Sequence, residues 1–297
     1  MNIILTGATG FMGRALLQRL LPDHDVFCLV RQAGALPAHP RVHAISQDLS
    51  EPLAADHLPP LADAVIHLAQ SRHFRSFPDQ ARDIFKVNTE FTQQLLDYGR
   101  RAKIRTFLLA SSGGVCGYLP RPILETDPPA PSNFYLASKY AAECLVNAYG
   151  ELFAAINLRY FFVYGEGQRG MFMPGLVERV LQGTAVTVSG RTGVTMNPIH
   201  LSDAVEATIR SLDLQRSETI NVGGAETATI VDLAELIGRL AGRKPVYRYE
   251  ADKGPLAMVG NIERMKCKLG VTPKVSLEEG VGRLIKDLAG ERSGGTP

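Results

Sequence analysis

The stretch "YLASKYAAECL" places Tyr135 and Lys139 four residues apart in a segment with helical patterning. On a helix that spacing puts both side chains on one face. A phenol with a pKa of about 10 is a poor base at neutral pH, but an ammonium beside it favours the phenolate and makes proton transfer feasible. The alternative is two polar residues on a wet face, and the spacing alone does not separate the two readings.

A second chemical signal lies at the start of the chain. In "ILTGATGFMGRALL", Gly7, Gly10 and Gly13 follow an apolar strand and open a helix. A tight turn of this kind lets backbone approach a pyrophosphate while the helix N-terminus faces the anion. It therefore predicts dinucleotide binding. At the end of the next strand, in "CLVRQ", Arg31 stands with no carboxylate beside it. A carboxylate there would bind the ribose hydroxyls of NAD, whereas an arginine suits a 2′-phosphate, so the reading is NADP or NAD with NADP favoured. Asp48 closes the following strand in "SQDL". It can accept a hydrogen bond from the adenine amino group or simply form a turn.

These groups need elements to position them. Short apolar runs ("NIILTG", "DVFCLV", "RVHAIS", "AVIHLA", "RTFLLASS", "AAINLRYF") alternate with helical patterns starting near Phe11, Asp79 and Asn133. That alternation predicts an α/β fold of Rossmann type, a doubly wound parallel sheet with helices on both faces. The expected division is a dinucleotide-binding region over 1–160 and a smaller C-terminal α/β substrate-binding region over 161–297, with some later segments returning to the sheet. The final "ERSGGTP" is expected to fray.

Composition narrows the function further. With 32 Lys+Arg against 30 Asp+Glu and no basic stripe, nucleic acid is not an expected partner. The four cysteines are widely spaced, so neither a disulfide framework nor a metal site is expected. No run is long and apolar enough for a membrane span, and the opening residues do not read as a signal peptide, so a cytoplasmic protein is expected. His67 and His200 sit in apolar strand contexts and read as structural.

In order along the chain, "TGATGFMG", "VIHLAQ", "VNTEFTQQLL", "LASSGGVCG", "YLASKYAAE", "LRYFFVYGEGQ", "PIHLSDAVEA" and "NVGGAETATIVDLAELI" resemble the extended short-chain dehydrogenase/reductase family, which includes NAD-dependent nucleotide-sugar epimerases and dehydratases. The resemblance implies that Tyr135 is the general acid/base and that Lys139 lowers its pKa and bonds the nicotinamide ribose. It also implies that Ser112 hydrogen-bonds the reacting oxygen. Ser111 would pack or cap. Cofactor contacts are implied for Gly7, Gly10, Phe11, Met12, Gly13, Arg31, Asp48, Leu49, Asn88, Tyr135, Lys139 and Phe161. Leu68, Ala69 and Gln70 would lend their backbone. Helices around Asp79–Lys103 and Asn133–Tyr149 would form a homodimer interface.

Within the family, 4,6-dehydratases carry Asp-Glu after the serine, where this chain has Gly113 and Gly114. Neither can move a proton, so dehydration is not expected. An epimerase or a keto-sugar reductase/dehydrogenase acting on a nucleoside-diphosphate sugar is. Phe162 stands where UDP-sugar epimerases carry Asn, and the usual diphosphate-binding arginine is absent, with Arg169, Arg179 or Arg191 as candidate substitutes. A smaller non-nucleotide carbonyl or hydroxyl compound is therefore the alternative substrate, and a non-catalytic dinucleotide sensor the alternative class.

Overall fold

The computed structural model describes residues 1–251 and 257–293. Of the terminal segment expected to fray, residues 294–297 lie outside the described residues. The chain forms two compact units: one comprises 1–117, 128–159 and 205–220, the other 118–127, 160–204 and 221–297.

The first unit is built on strands β1 (Asn2–Thr6), β2 (Asp25–Val30), β3 (Val42–Ser46), β4 (Ala64–His67), β5 (Thr106–Ser112) and β6 (Ala154–Tyr160). They lie in the order β3-β2-β1-β4-β5-β6, with strand Glu218–Val222 completing a seven-stranded sheet beside β6. Strands β1 to β5 pair in parallel. The order reverses at β1, and in such sheets ligands bind beyond the C-terminal strand ends at that switch point.

Both faces of the sheet are covered. Successive strand residues point to opposite faces. In β1, Ile4 joins a cluster with Phe91, Leu95, Ala142 and Val146, while Ile3 and Leu5 on the other face are fully buried as well. The cluster brings in helices α3 (Phe91–Arg101) and α4 (Phe134–Ala148); α1 (Phe11–Leu20) buries Leu16, Leu17 and Leu20. Helix α2 (Ala81–Phe85), which the sequence placed from Asp79, starts only after a turn closed by Pro78 O accepting from Ala81 N. Between α2 and α3, Lys86–Glu90 is a π-helical turn, a widening often found at functional sites. Helix α4 begins at Asn133, whose side chain accepts from the Leu136 N–H and satisfies an otherwise orphaned donor.

The second unit carries short strand pairs, including the parallel Val186–Ser189 and Tyr247–Glu250. Helices Phe172–Gln182, Ile230–Ala241 and Leu277–Ser293 meet in a core of Val177, Leu233, Ile237, Val281 and Leu284. A reciprocal Thr229–Asp232 capping box opens the second of these helices, and Gly242 in the left-handed region ends it.

Candidate active site

The glycine turn joins β1 to α1. Gly7 adopts φ 76° and accepts at its carbonyl from Gly10 N at 2.9 Å. A Cβ at Gly13 would lie 1.9 Å from the Gly7 oxygen, and one at Gly7 2.9 Å from the Ala69 nitrogen. Only glycines allow the helix to come this close to the strands, which leaves the α1 N-terminus facing a cavity of about 550 Å³. That volume lies within the ordinary range for cofactor sites, roughly 300–1,000 Å³.

Gly7, Gly10, Phe11, Met12, Gly13, Arg31, Asp48, Leu49, Leu68, Ala69 and Gln70 all line this cavity. Asp48 also forms the turn the sequence allowed: its Oδ1 accepts from the backbone N–H and the hydroxyl of Ser50, which holds its carboxyl below the usual range. Arg72, not singled out from sequence, lines the cavity as well. It lies in the loop after β4, five residues past His67, but cations in loops are too common for that position to have marked it. Thr9, Arg31, Gln32 and Arg72 line an adjoining recess of about 270 Å³.

Ser112, Tyr135 and Lys139 do not line this cavity. The connection runs through Gln70, whose side-chain oxygen accepts from the Tyr135 hydroxyl at 2.8 Å. The sequence assigned Gln70 a backbone contact only; the structure turns its side chain onto the phenol. Burial raises the Tyr135 phenol above its ordinary value, opposite to the depression expected from a neighbouring ammonium. Lys139 itself is buried, and its ammonium donates to the Ala110 carbonyl at 2.9 Å. Burial pulls Lys139 down to about 8, and the Glu143 carboxylate works against that fall. Ser112 is half-buried, with its Oγ accepting from Gly114 N at 3.2 Å at the start of a short 3₁₀ turn.

Asn88 is buried with both ends of its amide engaged, Oδ1 accepting from Ser71 N at 2.8 Å and Nδ2 donating to Ser138 Oγ at 2.9 Å. It is absent from the cavity lining and links the loop after β4 to helix α4 instead. Phe161 is likewise no part of this cavity: it is buried in the second unit, with its ring against Gly260. An aromatic side chain fits there because glycine leaves room for it.

A buried network that the sequence did not reveal lies behind the trio. Arg159 on β6 holds Glu143 through Nη2 at 2.7 Å, with both side chains almost fully buried. Ser111 Oγ donates to the same carboxylate, and Arg159 Nη1 lies 3.2 Å from Cys116 Sγ. Nearby, His67 Nδ1 meets Thr6 Oγ1 at 2.6 Å; burial first, and then the Lys139 charge, lower it to about 3, so it is neutral. In the second unit His200 contacts Glu166 and Ser202, Arg169 pairs with Asp287, and Arg179 donates to the Ala185 carbonyl. Phe162 adopts φ 48°, a left-handed conformation that costs an aromatic residue more than the asparagine it replaces.

The sequence profile of the NAD dependent epimerase/dehydratase family matches residues 3–223. The chain belongs to this family. Among curated members, it is 29% identical to an uncharacterised UDP-glucose epimerase of Bacillus subtilis, over 97% of this chain and 98% of the relative. It is 28% identical to a UDP-glucuronic acid decarboxylase of Danio rerio, over 98% of this chain and 73% of the relative. Among solved structures, a Bacillus cereus UDP-glucuronic acid 4-epimerase in complex with UDP-glucuronic acid and NAD superposes with a TM-score of 0.88 at 26% identity, covering 98% of this chain and all of the other. Membership accounts for the doubly wound sheet and the glycine turn alike. No helix among the described residues is long and apolar enough to cross a membrane.

Proposed function

We propose that the chain is an NAD(P)-dependent epimerase or keto-sugar reductase/dehydrogenase acting on a nucleoside-diphosphate sugar. The observation that carries this reading is the link, within one unit, between a cavity walled by the glycine turn and the hydroxyl of a tyrosine one helical turn from a buried lysine. Relatives that handle UDP-sugars support it.

The cavity fits a nicotinamide dinucleotide. Gly7, Gly10 and Gly13 leave backbone where a pyrophosphate needs it, and Arg31 and Arg72 supply charge toward its adenosine end. When bound, the dinucleotide supplies a hydride acceptor or donor. Tyr135 exchanges a proton with the sugar hydroxyl or carbonyl, Ser112 bonds the same oxygen, and Lys139 stabilises the phenolate. Glu143, buried on the same helix, helps keep Lys139 charged for that role. Dehydration is outside this reading: Gly113 and Gly114 bring no acid or base, and a Cβ at Gly114 would lie 2.9 Å from the Leu136 side chain.

NADP is favoured over NAD, because two guanidinium groups and no carboxylate line the adjoining recess, and arginine pairs bidentately with phosphate. A cytoplasmic homodimer through the helical segments 79–103 and 133–149 is part of the proposal.

The test is incubation with a panel of UDP-hexoses, UDP-hexuronates and their 4-keto forms, with NAD and with NADP, following nicotinamide absorbance and product stereochemistry. Turnover of at least one nucleotide sugar is expected. NADPH should bind tighter than NADH by about tenfold or more, a charge-assisted bond being worth roughly 1.5–3 kcal/mol. Arg31→Ala should remove that margin. Turnover confined to non-nucleotide carbonyl compounds would overturn the substrate class, and tighter NADH binding would overturn the cofactor preference.

A further inference from the structure

Gln70 belongs to the cavity wall and to the hydrogen bonding of Tyr135 at once. Its neighbours are pinned. The Ala69 N–H donates to Thr6 Oγ1 at 3.2 Å, the Ser71 N–H donates to Asn88 Oδ1 at 2.8 Å, and the Ser71 hydroxyl donates to Asp83. The backbone on either side is therefore held by its own hydrogen bonds, and none of those bonds involves the Gln70 side chain. The phenol ring is braced from another side by Phe74, centroid to centroid 5.3 Å, on which the Arg75 guanidinium stacks at 4.9 Å.

An amide differs from every other neutral side chain that fits here, because it carries an acceptor and a donor on one planar end. As a neutral phenol, Tyr135 has a proton to give and needs an acceptor. As a phenolate it has none to give and needs a donor. We propose that Gln70 is a positioning residue for Tyr135, its amide oxygen holding the phenol hydroxyl and, after a half-turn of the amide, its N–H₂ group holding the phenolate, so that one side chain serves both proton states. The inference rests on the assignment of Tyr135 as the proton-transfer residue, and it assigns to Gln70 a task beyond lending backbone.

The charged and titratable groups on the surrounding elements are engaged elsewhere than on the phenol oxygen, and Lys139 favours the phenolate through its charge rather than through a hydrogen bond to it. Lys139 of α4 is turned to the Ala110 carbonyl, and Glu143 of α4 is held by Arg159 of β6 and Ser111 of β5. His67 of β4 is bonded to Thr6, Asp83 of α2 to Ser71, and Arg75 lies over Phe74. Arg72 and His73 line the cavity. Among the described residues, Gln70 is the side chain that accepts from the phenol hydroxyl.

The test compares wild type with Gln70→Met, which has similar volume and no amide, and Gln70→Glu, which accepts only and is charged. Protein labelled at the tyrosine ζ-carbon is titrated, with and without NADP⁺ or NAD⁺, and the Tyr135 resonance is assigned by its loss in Tyr135→Phe. The expected order of ionisation midpoints is wild type lowest, Gln70→Met about one pH unit higher (roughly tenfold lower proton concentration), and Gln70→Glu highest, because only wild type can donate an amide N–H to the phenolate and the Gln70→Glu carboxylate sets a like charge beside it. At neutral pH the phenol proton should exchange slowly in wild type and Gln70→Glu and quickly in Gln70→Met. A Gln70→Met midpoint at or below wild type, or a phenol proton equally protected in that variant, would overturn the proposal. A side chain that merely packs would move the melting temperature and leave the titration unchanged. Turnover of nucleotide sugars is read separately, so failure of the substrate reading and failure of the Gln70 role give different results.

Discussion

Replacing Tyr135 by phenylalanine is expected to lower turnover by about 10²- to 10⁴-fold, the usual contribution of a positioned general acid/base. In barrier terms that is roughly 2.7–5.5 kcal/mol. Dinucleotide affinity should be unchanged, because the glycine turn and the arginines that wall the cavity lie on other elements. Stability should change little. The variant loses one hydrogen bond, to Gln70 Oε1, but that oxygen sits on a cavity-lining residue and regains a partner from water. Turnover, dinucleotide binding and thermal melting of the same preparation separate the outcomes. Loss of binding or a large fall in melting temperature would show a structural role, and undiminished turnover would remove the tyrosine from the chemistry.

Arg159→Met carries the largest expected effect on folding. The guanidinium holds Glu143 through two nitrogens, and the carboxylate side chain is only 1% exposed. Removing the guanidinium leaves a buried carboxylate without its hydrogen-bonded cation, and breaking a buried pair in this way typically costs about 3–5 kcal/mol. For a chain of this size that corresponds to a fall of roughly 10 °C in melting temperature. The double variant Arg159→Met with Glu143→Leu should recover most of the loss, because replacing a buried pair by apolar side chains is often neutral, even though Ser111 then loses its acceptor. It should also make Lys139 easier to deprotonate, since Glu143 is the group that works against its desolvation. Denaturant unfolding of the single and double variants measures this directly, and a single-variant loss under about 1 kcal/mol would contradict it.

Much of the fold was legible because it is written in local periodicity. The apolar runs that became β1 to β6 are short and bounded by glycines, prolines or helical patterns, and the glycine pattern marks a turn in which a side chain at Gly7 or Gly13 would collide with backbone. The site was legible in part. The spacing of Tyr135 and Lys139 is a local fact, but the direction in which their protonation is pushed depends on burial, which only tertiary packing decides. The network of Ser111, Glu143 and Arg159 joins residues 16 and 32 positions apart on different elements, and such pairs leave no pattern in sequence. Gln70 was legible as a backbone contact, yet its side-chain contact with Tyr135 depends on a side-chain direction across 65 positions. Phe161 follows the last residue of β6, where the chain passes into the second unit, and its burial against Gly260 depends on a residue far along the sequence.

The most direct measurement of the central claim is a crystal structure of the chain grown with NADP⁺ or NAD⁺. The account predicts the pyrophosphate on the Gly7–Gly13 turn and the adenosine end beside Arg31 and Arg72. It predicts the nicotinamide ribose within hydrogen-bond reach of Lys139, and the ring next to the Tyr135 oxygen and Ser112. A dinucleotide bound elsewhere, or one in this crevice with its nicotinamide ring turned away from Tyr135, would contradict it.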